Sequence, residues 1–198
     1  MGRCRLTVSK PVVKKAPMVS ALESMLSIFV FNLELRRYRT ACIATIDAAY
    51  GVLRGANVGD SGFMVVRGAP GFREAAHRSP HQEHEFGCPF QLGHHANSDA
   101  PDDAMLTTFP LESGDVIVMG SDGLWDNLSE MELLEVIERI FKGNPKGVHL
   151  AEDQSTMTKA TREIVAAAYH ASMDKRRTTP YSLAATVGRC RLTLSNPR

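Results

Sequence analysis

Gly114-Asp-Val-Ile-Val-Met-Gly-Ser-Asp-Gly-Leu-Trp-Asp-Asn127 is the stretch on which the reading of the fold turns. Val116 to Met119 is a short apolar run, entered through a turn at Glu112-Ser-Gly-Asp115, and it predicts a strand. The strand runs directly into Asp122-Gly123, with Asp126 four residues beyond Asp122. Glycine permits a sharp change of direction, so the Asp122 carboxylate can project beyond the strand end. Oxygen donors so placed suit Mg²⁺ or Mn²⁺, which take carboxylates and waters in octahedral geometry. Taken alone, the same residues fit equally well a turn in which Asp122 bonds the backbone.

Upstream, Ala56-Asn-Val-Gly-Asp-Ser-Gly62 is a second stretch of the same kind: a buried strand closing on a tight turn that carries Asp60 and Ser61. By itself it could be a hairpin tip with a polar cap. Thr40 to Ile46 is β-rich, and Val52 to Val58 and Gly62 to Val66 follow it across short Gly- and Asp-containing turns. Pattern and loop length predict an antiparallel meander. Gly68 to Asp103 holds Pro70, Pro80, Pro89 and Pro101 and is poor in regular signals, as functional or mobile loops are. His77, His81, His84, Cys88, His94 and His95 cluster there with some ligand-like spacings for Zn²⁺, but they match no closed tetrahedral signature.

Downstream, Ser129 and Glu132 form a capping-box pattern ahead of the stripe Leu133, Leu134, Ile137 and Ile140, which predicts a helix to Phe141. Thr156 to Met173 predicts another, and Met18 to Tyr38 a third through Leu22, Met25, Leu26, Phe29 and Val30. Gly2 to Pro11 recurs as Gly188 to Pro197 with eight of ten positions identical. Each copy alternates like a half-buried strand, and a duplicated piece of coding sequence explains the pair most simply.

The 198 residues, 43% hydrophobic and 23% charged, suit one globular domain. A net charge of +1 gives no electrostatic reason to expect nucleic acid. The longest apolar run, Met25 to Phe31, is far short of the ~20 residues that span a bilayer, so no transmembrane segment is expected. Four cysteines without a C-x-x-C pair read as reduced thiols in an intracellular compartment. The first 22 residues are basic and free of acid, the composition of a mitochondrial or plastid targeting segment; a solvated basic tail or a strand with charged flanks is the favoured alternative.

Taken together and in order, the stretches Ala56 to Val66 and Gly114 to Asn127 resemble the metal-dependent serine/threonine phosphatases of the 2C type. Thr40-Ala-Cys-Ile43 resembles the family's strand before the first of these stretches, and Ala166-Ala-Ala-Tyr169 with Ser172, Asp174 and Pro180 the helix and turn that follow, while His77-Arg-Ser79, Gln82, His84, Phe86 and Pro89-Phe-Gln-Leu92 resemble the intervening segment of the branch with the mitochondrial members and related plant and fungal proteins. The resemblance spans about Thr40 to Tyr181. It implies an α+β fold, a layered α-β-β-α sandwich of antiparallel sheets, here incomplete. It further implies two divalent cations, Mg²⁺ or Mn²⁺, between the sheets, and a water that they activate to attack a phosphoserine or phosphothreonine of a phosphoprotein substrate. On this resemblance Asp122 is a ligand of the metal pair, and Asp60 and Asp126 serve a further, weaker metal.

Departures from the family are equally definite. Its N-terminal Asp-Gly-x-Gly-Gly motif has no counterpart, since Asp122-Gly123 is the only Asp-Gly here, and no acid follows Asp174 where an Asp-Asp or Asp-Asn ligand would stand. The expected organisation is a non-matching segment, residues 1–39, and a partial phosphatase domain, residues 40–198, rearranged at both ends. A monomeric phosphatase of impaired activity is the expected function. The alternatives are a non-catalytic phosphatase-like binding protein and an incomplete gene product.

Overall fold

The computed structural model describes residues 38–93, 97–142 and 154–194. The expected helix at Met18 to Tyr38, the first copy of the repeat, His94 and His95 lie almost wholly outside them.

Among the described residues, eight strands lead into four helices. The strands are β1 (Ala41–Asp47), β2 (Val52–Val58), β3 (Gly62–Arg67), β4 (Glu74–Arg78), β5 (Glu83–Glu85), β6 (Cys88–Pro89), β7 (Met105–Pro110) and β8 (Val116–Gly120). The helices are α1 (Asp122–Trp125), α2 (Glu130–Lys142), α3 (Gln154–Met173) and α4 (Pro180–Leu194). Pairing between these strands is antiparallel and builds two three-stranded sheets, β1-β2-β7 and β4-β3-β8, with β5 and β6 as a small separate ribbon. The expected α+β class and antiparallel sandwich are therefore present.

One expectation is corrected. β1, β2 and β3 do not form one meander, because β3 pairs with β4 and β8 rather than with β2. The central strand of one sheet passes through Gly59-Asp-Ser61 into the central strand of the other. Alternation explains why. Leu53 from β2 and Phe63 and Val65 from β3 are at most 1% exposed and form one cluster, with Cys42, Phe109, Leu111 and Ile117 against it. These residues are the facing sides of two stacked sheets. Gly55 makes the stacking possible: a Cβ there would lie 2.6 Å from the Phe63 ring.

The other face of the second sheet offers Met64, Val66 and Val118 to Leu124, Trp125 and Leu128, to Leu133, Ile137 and Phe141 of α2, and to Ile164 and Ala168 of α3. Three and four residue spacing places the apolar stripe of α2 on this side. Ala56 and Val58 on the outer face of the first sheet pack with Ala41 and Leu92.

Two further readings change. The stretch from Gly68 to Asp103 contains β4, β5, β6 and a 3₁₀ turn at Pro101–Asp103. The second copy of the repeat is not a strand, since α4 continues through it to Leu194. Thr179 and Ser182 bond each other's backbone N–H through their hydroxyls, at 2.8 and 3.2 Å, and Pro180 takes the first helical position. Local capping thus sets the conformation of a segment whose alternation alone suggests a strand.

Candidate active site at the shared end of β3 and β8

β3 and β8 pair with Gly62 opposite Gly120. Asp60 lies two residues before Gly62 and Asp122 two residues after Gly120, so the register brings both to the same end of the sheet. Both line a cleft of about 390 Å³, together with Arg39, Thr40 and Gln91.

Asp122 opens α1 rather than sitting in the turn that is one of the two readings of its sequence. Its Oδ1 accepts the Gly123 N–H at 2.7 Å. One helical turn later the Asp126 N–H donates to the Asp122 carbonyl at 2.8 Å. Residues four apart share a helix face, which sets the two carboxylates side by side. Trp125, 5% exposed, fixes this short helix: its Nε1–H donates to the Gly120 carbonyl at 2.8 Å, and the Arg78 guanidinium lies 4.5 Å over its ring.

Asp60 is held by its neighbours rather than by its own side chain. Gly59 has φ +96°, and a Cβ there would lie 2.5 Å from both the Phe90 carbonyl and the Thr40 methyl. Only glycine fits that backbone and that gap. Asn57, 1% exposed, donates from Nδ2 to the Gly59 carbonyl at 3.0 Å and to the Pro80 carbonyl at 3.1 Å. Gln82 accepts the Gly59 N–H at Oε1 and donates its own N–H to the Gly59 carbonyl. Thr40 and Ser61 share a hydroxyl hydrogen bond of 2.8 Å. Gly62 leaves room for Ser79, whose Oγ accepts the Phe63 N–H at 2.8 Å and would lie 2.5 Å from a Cβ at Gly62.

The charges show that these carboxylates are neighbours. Burial, with the charges of Asp122 and Asp60, pushes the Asp126 carboxyl up to about 6. Burial and the Asp122 charge raise Asp60 in the same direction, with His81 opposing weakly. Crowded, partly desolvated carboxylates are what a divalent cation relieves, and an all-oxygen donor set suits Mg²⁺ or Mn²⁺. Yet among the described residues no group of three or more His, Cys, Asp or Glu is placed to enclose a metal ion. The cleft thus fits a cation in charge and donor type without forming a closed cage.

The described histidines have partners of their own. His81 Nε2 meets Glu83 at 3.0 Å, His84 meets Asp99 at 2.9 Å while stacking on Phe90, and His77 stacks on Phe109. Cys42 and Cys88 are free thiols, and burial pushes Cys42 up to about 11.

A family model, Stage II sporulation protein E (SpoIIE), matches residues 1–176. The chain belongs to the SpoIIE/2C-type phosphatase family. The match takes in residues 1–39 of this SpoIIE/2C-type chain as well, so a division at residue 39 stands only as a proposal. A human protein phosphatase PTC7 homolog is 33% identical over 150 residues, 72% of this chain and 45% of the relative. The PTC7 homolog fig of Drosophila ananassae is 34% identical over 153 residues, 74% of this chain and 42% of the relative. The photosystem II phosphatase PBCP superposes with a TM-score of 0.70 at 28% identity, covering 85% of this chain and 59% of that one. The SpoIIE/2C-type chain therefore spans less than half the length of those two curated relatives.

Sequence reasoning passed over Arg39 in the cleft. Its place follows from a backbone bridge to Leu92, 53 residues on, which no local pattern announces.

Proposed function

We propose that the chain acts as a metal-dependent protein phosphatase on phosphoserine or phosphothreonine, with activity well below that of a relative carrying the full ligand set. The observation that carries this reading is the register of β3 and β8, which brings Asp60 and Asp122 to one cleft, with Asp126 one helical turn beyond Asp122 on α1. Family membership supplies the reaction class.

In this reading Asp122 is the principal metal ligand, and Asp60 and Asp126 complete or support the site for Mg²⁺ or Mn²⁺. The bound cation supplies positive charge that activates water and neutralises phosphoryl oxygens. The chain's own residues position the parts. Gly59 and Asn57 hold the Asp60 backbone, and Trp125 holds the helix that bears Asp122 and Asp126. A two-metal reaction needs a bridging carboxylate, and the motif that supplies it in the family is absent here. Misplacement of the attacking water costs on the order of 100-fold. The proposed substrate is a phosphoprotein, with a monomeric chain inside the cell and a mitochondrion or plastid as the candidate compartment.

Mn²⁺-dependent hydrolysis of a phosphoserine peptide by the purified chain tests the reading. Slow, Mn²⁺-dependent release of phosphate is expected, so close to the uncatalysed background that Asp122→Asn has little left to remove. Robust turnover abolished by Asp122→Asn would show that another acid fills the bridging role, whereas complete absence of turnover would favour the second reading. That reading, a non-catalytic phosphoprotein-binding relative, draws on the lack of a closed ligand group among the described residues.

A further inference from the structure

We propose that the free edge of β8 receives an added strand from the chain's own N-terminal segment, Gly2 to Pro11, seated in the apolar groove between β8 and α3. The segment lies outside the described residues, and the inference holds whether or not the cleft hydrolyses phosphate.

The edge comes first. β8 is the outer strand of the sheet β4-β3-β8. Phe63 of β3 turns its backbone towards β4, since its N–H donates to Ser79 Oγ at 2.8 Å and its carbonyl accepts the Ser79 N–H at 2.8 Å. Backbone groups alternate in direction along a strand, so those of Met64 face β8 and bond to Val118 opposite. Ile117 and Met119, opposite Val65 and Phe63, therefore aim their N–H and carbonyl groups off the sheet, and among the described residues nothing bonds to them. Such an edge is a template for a further strand. Val116–Gly120 carries no lysine, proline or bulge to guard it, whereas the β4 edge is bulged and carries Glu74 and Arg78.

The groove comes second. It holds about 640 Å³ between β8 and α3, and among the described residues no charged side chain lines it. Met119, Val165 and Tyr169 on its walls are 48%, 61% and 60% exposed. Large apolar side chains gathered on one exposed surface mark a place that something covers. A strand laid along β8 puts alternate side chains against α3 and the rest on the opposite face of the sheet. The occupant must then be apolar and uncharged in one row, and only in one.

The N-terminal segment meets that demand. Cys4, Leu6 and Val8 form an apolar row, Arg3, Arg5, Thr7 and Ser9 form the other, and Pro11 ends the alternation. Its near-identical twin is taken into α4 as far as Leu194, so only the first copy is left for the edge. The family match takes in residues 1–39, which counts the segment with the domain. Reach is ample: residues 12–37 join the segment to Tyr38, and even a continuous helix over them covers about 39 Å, against a radius of gyration of about 16 Å for a domain of this size. β8 ends two residues before Asp122, so a strand along its edge also steadies the base of α1.

Amide hydrogen exchange in the 198-residue chain, followed by nuclear magnetic resonance, tests the proposal. The Val118 N–H faces β3 and should be slow in every folded variant. Those of Ile117 and Met119 should also be slow in the parent, and should exchange about 10- to 100-fold faster in Leu6→Asp while Val118 stays as it was. A peptide of residues 2–11, added to Leu6→Asp at about millimolar concentration to match a tethered segment, should restore the protection. The same peptide carrying Leu6→Asp should not, and the chain variant Arg5→Gln, in the polar row, should exchange as the parent does. Leu6→Ala and Val8→Ala take the place of Leu6→Asp if that variant does not fold. Fast exchange at Ile117 and Met119 in the parent would overturn the proposal. So would protection that the Leu6 and Val8 variants leave intact, all three amides speeding up together, or a parent peptide that restores nothing. Protection that fades on dilution, as sedimentation shows a dimer dissociating, would give the edge to a second copy and overturn it as well.

Discussion

At Gly59 the structure leaves no space for a side chain and demands a left-handed backbone, with φ +96° and a Cβ position 2.5 Å from the Phe90 carbonyl. Gly59→Ala must therefore shift either the turn or the Phe90 segment. A loss of about 2 kcal/mol is expected from the strained backbone alone, read as a fall in the denaturation midpoint. Asp60 should move with the turn, so Mn²⁺ binding should weaken further than stability does. A variant that melts early yet binds Mn²⁺ as the parent does would separate the turn from the site. Residues of this kind were half legible. Gly59-Asp60-Ser61 and Asp122-Gly123 stand out in the sequence as turn chemistry with carboxylates. Asn57 gives no such signal, because what marks it is burial to 1% exposure and hydrogen bonds to the Gly59 carbonyl and to the Pro80 carbonyl 23 residues on.

Among the elements, the connection between β7 and β8 is tied to β3 by one arginine. Arg67 donates to both Asp115 oxygens, at 2.9 and 2.8 Å, and to the Pro110 carbonyl at 2.8 Å. The Asp115 side chain is 4% exposed. Burial alone would raise its carboxyl, but the Arg67 hydrogen bonds and charge outweigh that and hold it below the ordinary range. A carboxylate lowered in the folded state stabilises above its unfolded pKa, and that stabilisation disappears as pH falls through the folded value. Asp115→Asn should therefore be less stable at neutral pH, and its stability should fall less than the parent's between about pH 4 and pH 2. Chemical denaturation at several pH values measures this; parallel curves for the two chains would refute it. Arg67→Ala leaves Asp115 buried without its partner and should cost about 3 kcal/mol. At α2 the capping box predicted from Ser129 and Glu132 is present: the Ser129 N–H donates to Glu132 at 2.9 Å, and Arg177 pairs with the same carboxylate. Ser129→Ala should cost about 1 kcal/mol by thermal melting. Strong periodicity made β1, β2, β3, β8, α2 and α3 readable. β4, β5 and β6 were not, since segments of five, three and two residues rich in His, Glu and Pro carry too little alternation. β7 was hidden for another reason: its partner β2 lies about fifty residues upstream, and only that pairing makes it a strand.

For the whole molecule, one packed layer between the sheets and one beneath the helices share β3 as a common wall. Phe63 points into the first and Met64 into the second. Unfolding is therefore expected to be a single cooperative transition. Trp125, the only tryptophan, reports on the helix side, and Phe63 lies on the sheet side. Phe63→Ala should cost about 4 kcal/mol and lower the Trp125 fluorescence midpoint as far as the circular dichroism midpoint. Two separated midpoints would mean that the layers melt independently. The same common wall constrains descent with change. Surface loops usually absorb extra residues at small thermodynamic cost. Gly59-Asp-Ser61 has no such freedom, because three residues both carry the chain from one sheet to the other and set Asp60 opposite Asp122. An inserted residue there would leave two sound sheets and a displaced carboxylate. Across homologous chains the length of this link should stay constant, while the span from β4 to β7 drifts in length from one lineage to the next.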